Sequence, residues 1–171
     1  MSAEDNEIWQ SYANDGAEAL RDIEESLLVL EGDPKSSANI NRLYRGLHTL
    51  KGNSGFMRLA QIERLAHVSE DLIGLVRDRG VALDDEIIET MLKVVDRLGE
   101  VVGAAGNEQR DAAPERVADL VAAVSAVTAS RDPKRAPPAP AVAPRPATPP
   151  PPAPSPAPVM YFSEHPDSVG P

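Results

Sequence analysis

The chain has 171 residues, a formal net charge of −10, no cysteine, and seventeen prolines of which only Pro34 and Pro114 precede Pro133. Of its 27 acidic and 17 basic residues, 24 and 13 fall in residues 1–130. That balance argues against nucleic acid and anionic membrane as partners, because both reward basic patches, and the missing cysteines exclude disulfides and thiolate metal sites.

The acidic N-terminus, MSAEDNEIWQ, has no apolar signal core, and no run approaches the roughly 18 apolar residues of a membrane span. The expectation is a soluble, cytoplasmic protein. In residues 1–130 the only sustained period is helical. Ile8, Tyr12, Ala19, Ile23, Leu27 and Leu30 recur at i, i+3, i+4 spacing and stop at Gly32, before Asp33-Pro34. A second stripe runs Ile40, Leu43, Leu47, Leu50. A third runs Ile62, Leu65, Ser69, Leu72, Ile73, Val76 and closes at Arg79-Gly80. Asp84 or Asp85 caps a fourth helix carrying Ile87, Ile88, Met91, Leu92, Val95, Leu98 and Val102. Pro114, in the favoured first helical position, opens a fifth with Val117, Leu120, Val121, Val124 and Val127. Helices with short connections pack as antiparallel neighbours. The expected fold is all-α: an up-down four-helix bundle with a fifth helix attached, over residues 1–130.

Residues 131–171 form a second region, an expected disordered tail. Its Pro/Ala-rich stretch, APPAPAVAPRPATPPPPAPSPAP, cannot be helical and suits an extended polyproline spacer. Its P-x-x-P spacings also suit an SH3-type ligand.

The second helix contains LHTLKGNSGFM, residues 47–57. Interior glycines each cost a helix roughly 1 kcal/mol relative to alanine, yet Gly46, Gly52 and Gly55 cluster here around one histidine. On a helical wheel at roughly 100° per residue, His48 lies about 120° from the centre of the apolar stripe, so it is presented on the surface. Lys51 stands one turn on, and Gly52 leaves room for a large partner to approach the ring. These features suit phosphoryl transfer. An imidazole, with an ordinary pKa of about 6.5, is a competent nucleophile near neutral pH. It needs one nitrogen free and the other held by an acceptor. A nearby lysine offsets the charge of the product. On the third helix Glu70 lies about 110° from its apolar stripe, at the shoulder of the bundle. It is the chosen acceptor for the His48 Nδ1–H, leaving Nε2 as nucleophile. His67 and Asp71 point further out.

H-T-L-K-G-N-S-G-F on one helix, followed by E-R-L-A-H-V-S-E-D-L on the next, resembles the histidine phosphotransfer domain at the N-terminus of CheA-type chemotaxis histidine kinases. The resemblance covers about residues 4–130. It implies a five-helix domain, four helices forming the bundle, with His48 as phospho-acceptor, Glu70 orienting it, Lys51 and Gly52 as the neighbouring basic and small positions, and His67 as a further member of the same network. It implies two partners, a histidine kinase catalytic domain and the receiver domain of a response regulator. The domain is expected to be monomeric and to have no cofactor of its own, with ATP and Mg²⁺ supplied by those partners. A CheA-type kinase would continue into regulator-binding, dimerisation, ATP-binding and coupling domains, and no nucleotide-binding glycine motif stands in this sequence. The chain is therefore expected to be a phosphocarrier or the front end of a longer kinase. Two alternatives are a metal site built from Glu63, His67, Glu70 and His48, and a helical scaffold whose proline-rich tail binds a partner.

Overall fold

The computed structural model describes residues 3–132; the proline-rich region expected to be a spacer or ligand lies outside the described residues. Five helices follow one another: α1 Ala3–Gly32, α2 Ser37–Phe56, α3 Ala60–Arg79, α4 Asp85–Glu108 and α5 Ala118–Arg131. No strand occurs among the described residues. α1 packs on α2 and α4, α3 packs on α2 and α4, and α5 lies mainly against α3. This is the expected four-helix bundle with a fifth helix attached.

The apolar stripes become one core. Ile23, Leu27 and Leu30 of α1 meet Leu43, Leu47 and Leu50 of α2, Ile62, Leu65, Leu72 and Ile73 of α3, and Ile87, Met91, Val94 and Leu98 of α4, all fully buried. Burying a large aliphatic side chain is worth about 1.5–3 kcal/mol, and in a core with so few aromatics these residues carry most of the stability. Tyr12 is the aromatic exception. It is buried, with its hydroxyl 3.0 Å from that of the equally buried Ser54, so both polar atoms are satisfied.

The helix ends follow local chemistry. Gly80 closes α3 in the left-handed region at φ 67°, which glycine adopts without steric penalty. The Asp84 carboxylate caps α4 by accepting the Ile87 N–H at 3.1 Å. Two expectations need correction. Pro114 opens a single 3₁₀ turn, Pro114–Arg116, and α5 starts only at Ala118, because Val117 turns out of helical geometry at φ −121° to bury its side chain. Ile8, placed in the buried stripe, is half-exposed. It sits at the rim of a groove beside Phe56 and Met57, where the cover of the bundle ends.

The link between α2 and α3 sets the register of the functional face. Only Met57, Arg58 and Leu59 join the two helices, with Arg58 at φ 59° and the Leu59 N–H donating to the Ser54 carbonyl at 2.8 Å. A non-glycine residue at positive φ costs on the order of 1 kcal/mol, and here it allows a tight antiparallel reversal. Contacts across the hairpin are then symmetric about Leu59: Gly55 faces Glu63, His48 faces Glu70, and Tyr44 faces Gly74.

Candidate functional site

His48 sits on the outer side of α2 with its side chain 63% exposed. Its Nδ1 lies 2.9 Å from Glu70 Oε1. The Glu70 carboxylate accepts in this contact, so Nδ1 is the nitrogen that carries the hydrogen.

Glu70 departs from expectation in its burial. The wheel puts it on a shoulder; in the structure its side chain is 6% exposed. A buried carboxylate needs compensation, and Lys51 supplies it, with Nζ 2.7 Å from Oε2. Oε2 has no well-directed hydrogen-bond donor, so this contact is held by charge more than by a directed bond. Burial by itself would push the Glu70 carboxyl up; Lys51, His48 and Tyr44 outweigh it and hold the group below its ordinary value. Glu70 in turn raises Lys51 above the ordinary lysine value.

The sequence reading misses Tyr44. Its ring lies nearly parallel to the His48 imidazole, at 15° and 6.3 Å between centroids, an offset stack. The Arg77 guanidinium covers the Tyr44 ring, Cζ 3.6 Å from its centroid, and Glu70 holds the Tyr44 hydroxyl above the ordinary phenol range. One signal was available: Tyr44 precedes His48 by four residues, so the two share a helix face. Its approach to Glu70 and Arg77 depends on the α2–α3 register.

His67 stands apart from this cluster. Its side chain is 58% exposed and its Nε2 is 3.6 Å from Asp71. Three residues before Glu70, its ring points to solvent while Glu70 points inward, so its carboxylate neighbour is Asp71. The three glycines of the segment divide. A Cβ on Gly46 would fall 2.6 Å from Ile23 Cγ1 and 3.2 Å from the Ala19 carbonyl oxygen, so Gly46 serves close packing against α1. A Cβ on Gly55 would meet the Glu63 carboxylate at 3.3 Å. A Cβ on Gly52 would meet nothing within 4 Å. Gly52 therefore leaves an open surface beside His48.

Phe56, on the same stripe of α2 as His48 and Gly52, is 83% exposed. With Ile8, Tyr12 and Met57 it lines a shallow groove of about 230 Å³ between α1 and the end of α2. Met57 is partly buried against the core. No three His, Asp or Glu side chains converge as metal ligands among the described residues: Glu63 lies against Gly55, Glu70 is engaged by His48 and Lys51, and His67 faces Asp71. No helix among the described residues is long and apolar enough to cross a membrane.

The family model of the Hpt domain matches residues 7–130. The chain resembles the phosphorylated P1 domain of CheA3 from R. sphaeroides, solved in complex with CheY6, at 39% identity over 74% of this chain and 98% of that one, with a TM-score of 0.71. It also resembles the CheA phosphotransferase domain from Thermotoga maritima, at 26% identity over 61% of this chain and 97% of that one, with a TM-score of 0.56. Among curated proteins, the chemotaxis protein CheA of Treponema pallidum is 26% identical over 124 residues, 71% of this chain. That of Rhizobium meliloti is 28% identical over 100 residues, 58% of this chain. The match spans only 15% and 13% of those two curated relatives.

Proposed function

The chain belongs to the Hpt domain family, and on that premise we propose that His48 accepts a phosphoryl group from the catalytic domain of a histidine kinase and passes it to an aspartate of a response regulator in a chemotaxis phosphorelay. The observation that carries this reading is the His48–Glu70 pair: Nδ1 at 2.9 Å from a buried carboxylate, in a side chain that is otherwise exposed.

The His48 Nε2 lone pair attacks the γ-phosphorus of ATP bound in the partner kinase. The N–P bond forms, the P–O bond to the β-phosphate breaks, and ADP leaves. The Nδ1–H stays on the ring, and the positive charge gained by the imidazole is balanced by Glu70. In the second step a receiver carboxylate attacks the same phosphorus, the N–P bond breaks, and Nε2 regains its lone pair. Phosphoryl transfer demands mainly positioning and charge stabilisation, so ATP and Mg²⁺ belong to the partners and the domain contributes an oriented nucleophile. In the resting domain Lys51 neutralises Glu70; one turn from His48, the same ammonium is near enough to offset the incoming phosphoryl charge. The receiver docks over α2, with Gly52 admitting it close to the ring and the exposed Phe56 and Ile8 as apolar contacts. The likeness to a P1 domain solved with CheY6 supports a CheY-type receiver as acceptor.

The test is phosphorylation of the purified chain by labelled ATP and a separately expressed CheA-type catalytic core. Acid-labile label on the parent, none on His48→Gln and slower labelling of Glu70→Ala are the expected results. An unlabelled parent beside a well-labelled phosphotransfer control would turn the reading toward a helical scaffold with a functional tail.

A further inference from the structure

Resting on that reading, we propose that Tyr44 is a positioning residue for the reaction, a platform that sets the plane of the His48 imidazole while Glu70 selects which nitrogen is free. A single hydrogen bond to Nδ1 does not fix a ring. An imidazole 63% exposed on a helix surface can still swing about its bond to Cβ. The direction of the Nε2 lone pair then varies, and misdirected encounters are lost. A second constraint is needed, and the stack with Tyr44 supplies it.

Tyr44 is itself held from several sides. One helical turn before His48, it projects toward α3 directly opposite Gly74, where an added Cβ would just touch its ring edge at 3.7 Å. A larger side chain at position 74 would occupy the space that the ring uses. Arg77 lies on the ring face and is gripped by Asp78 through two parallel bonds, Nε to Oδ1 at 2.7 Å and Nη2 to Oδ2 at 2.8 Å. A guanidinium over an aromatic face is attracted by the ring quadrupole. Glu70, the carboxylate that holds His48, also holds the Tyr44 hydroxyl above the ordinary phenol range. Asp78, Arg77, Tyr44 and His48 thus form a continuous support running from the end of α3 to the nucleophile. The tyrosine touches no substrate in this scheme; it acts through the histidine.

The experiment uses the full chain with ¹⁵N-labelled histidine and the variants Tyr44→Phe, Tyr44→Leu and Arg77→Gln. It has two readouts, with thermal melts beside them. The first is imidazole ¹⁵N NMR of His48 at alkaline pH, where histidines are neutral; it reports the balance of tautomers and needs no partner. The second is the phosphorylation rate with the separately expressed CheA-type catalytic core. In the parent the Nδ1–H form should dominate. Tyr44→Leu frees the ring to swing off Glu70, so it should weaken the Nδ1–H bond to that carboxylate, shift His48 toward mixed tautomers and slow phosphorylation by about tenfold. Tyr44→Phe, which keeps the stack, should recover most of that loss, and Arg77→Gln should fall between the two. A Tyr44→Leu protein that folds and matches the parent in both readouts overturns the proposal. If Tyr44→Leu does not fold, the Arg77→Gln protein decides, because that substitution leaves the core untouched; parent-like tautomers and rate there also overturn it. Loss of the phosphocarrier reading looks different: the parent stays unlabelled, or label persists on His48→Gln. The NMR readout still tests the role of Tyr44 in that case.

Discussion

The two flanks of α2 carry the same kinds of residue and differ in how far water reaches them. Toward α1, Arg42 bridges Asp22 and Glu25 at 2.5 and 2.7 Å, and all three side chains are well exposed. Toward α3, Lys51 meets Glu70 at 2.7 Å with the carboxylate almost sealed from solvent. The glycines reverse this order. Gly46 on the α1 side is pressed against Ile23, while Gly52 near His48 faces open space. One flank therefore packs tightly beneath a solvated ion cluster, and the other buries its charges beneath an open surface. An exposed ion pair contributes little because water competes for both partners. A buried one contributes little net stability over an apolar replacement, but becomes costly when one partner is removed. The flank that faces α3 is thus where a single charge change should be felt most.

Lys51→Met should have the largest effect on stability. It strands the Glu70 carboxylate without its cation and should cost about 2–3 kcal/mol near neutral pH, read from the urea midpoint. A cost no larger than that of Arg42→Met would erase the distinction between the flanks. Acid sharpens the same contrast. Because the folded domain holds Glu70 below its ordinary value, the charged carboxylate contributes stability above the ordinary carboxylate range, and that contribution is lost as pH falls through the lowered value. In Lys51→Met the strongest lowering influence is gone and burial dominates, so the stranded carboxylate is a cost that protonation relieves, and the variant should regain stability as pH falls where the parent loses it. The gap between parent and variant should narrow once both carboxyls are protonated. The raised Lys51 works in the opposite sense: its contribution is complete below the ordinary lysine value and is lost only as pH rises through the raised one. Urea titrations across the acid range would show a constant gap if Glu70 were not the linked group.

Gly46→Ala comes next. The new methyl group must displace Ile23 or the α1 backbone, and overpacking of that kind should cost about 1–2 kcal/mol despite the better helix propensity of alanine. Gly52→Ala should move stability the other way, a gain of about 0.5–1 kcal/mol, while slowing transfer from the phosphorylated domain to a receiver. A destabilised Gly52→Ala protein would contradict the open space seen around that position. Arg42→Met should be the smallest change, below about 0.5 kcal/mol, and a double-mutant cycle with Asp22→Ala would measure the pair directly.

Much of the site was legible from residue spacing. His48 outside the apolar stripe, Lys51 and Gly52 beside it, and Glu70 as the acceptor all follow from angular position on one helix at a time, and the structure brings His48, Lys51 and Glu70 together. What a wheel could not convey is depth. It placed Glu70 on a shoulder because it knows the angle of a residue and not what covers it. Lys51, from the neighbouring helix, closes over the carboxylate. Pro114 shows the same limit at a helix end. Its fixed φ suits a first turn, but the pull of Val117 into the core decided where the regular helix began.

By itself the sequence determined which residues share a face of each helix, and hence the all-α bundle, the helix ends at Gly32, at Gly80 and at the Asp84-Asp85 pair, and the exposed histidine beside a small residue. These depend on interactions within a few residues along the chain, which local periodicity and capping chemistry express directly. Only the tertiary structure decided that the α2–α3 hairpin is centred on Leu59. That register sets His48 against Glu70 and Tyr44 against Gly74, buries one carboxylate and gives a tyrosine an arginine cover. Contacts between helices depend on how two surfaces come to rest against each other. A shift of one turn, about 5.4 Å along α3, would leave every helical stripe intact and take the site apart.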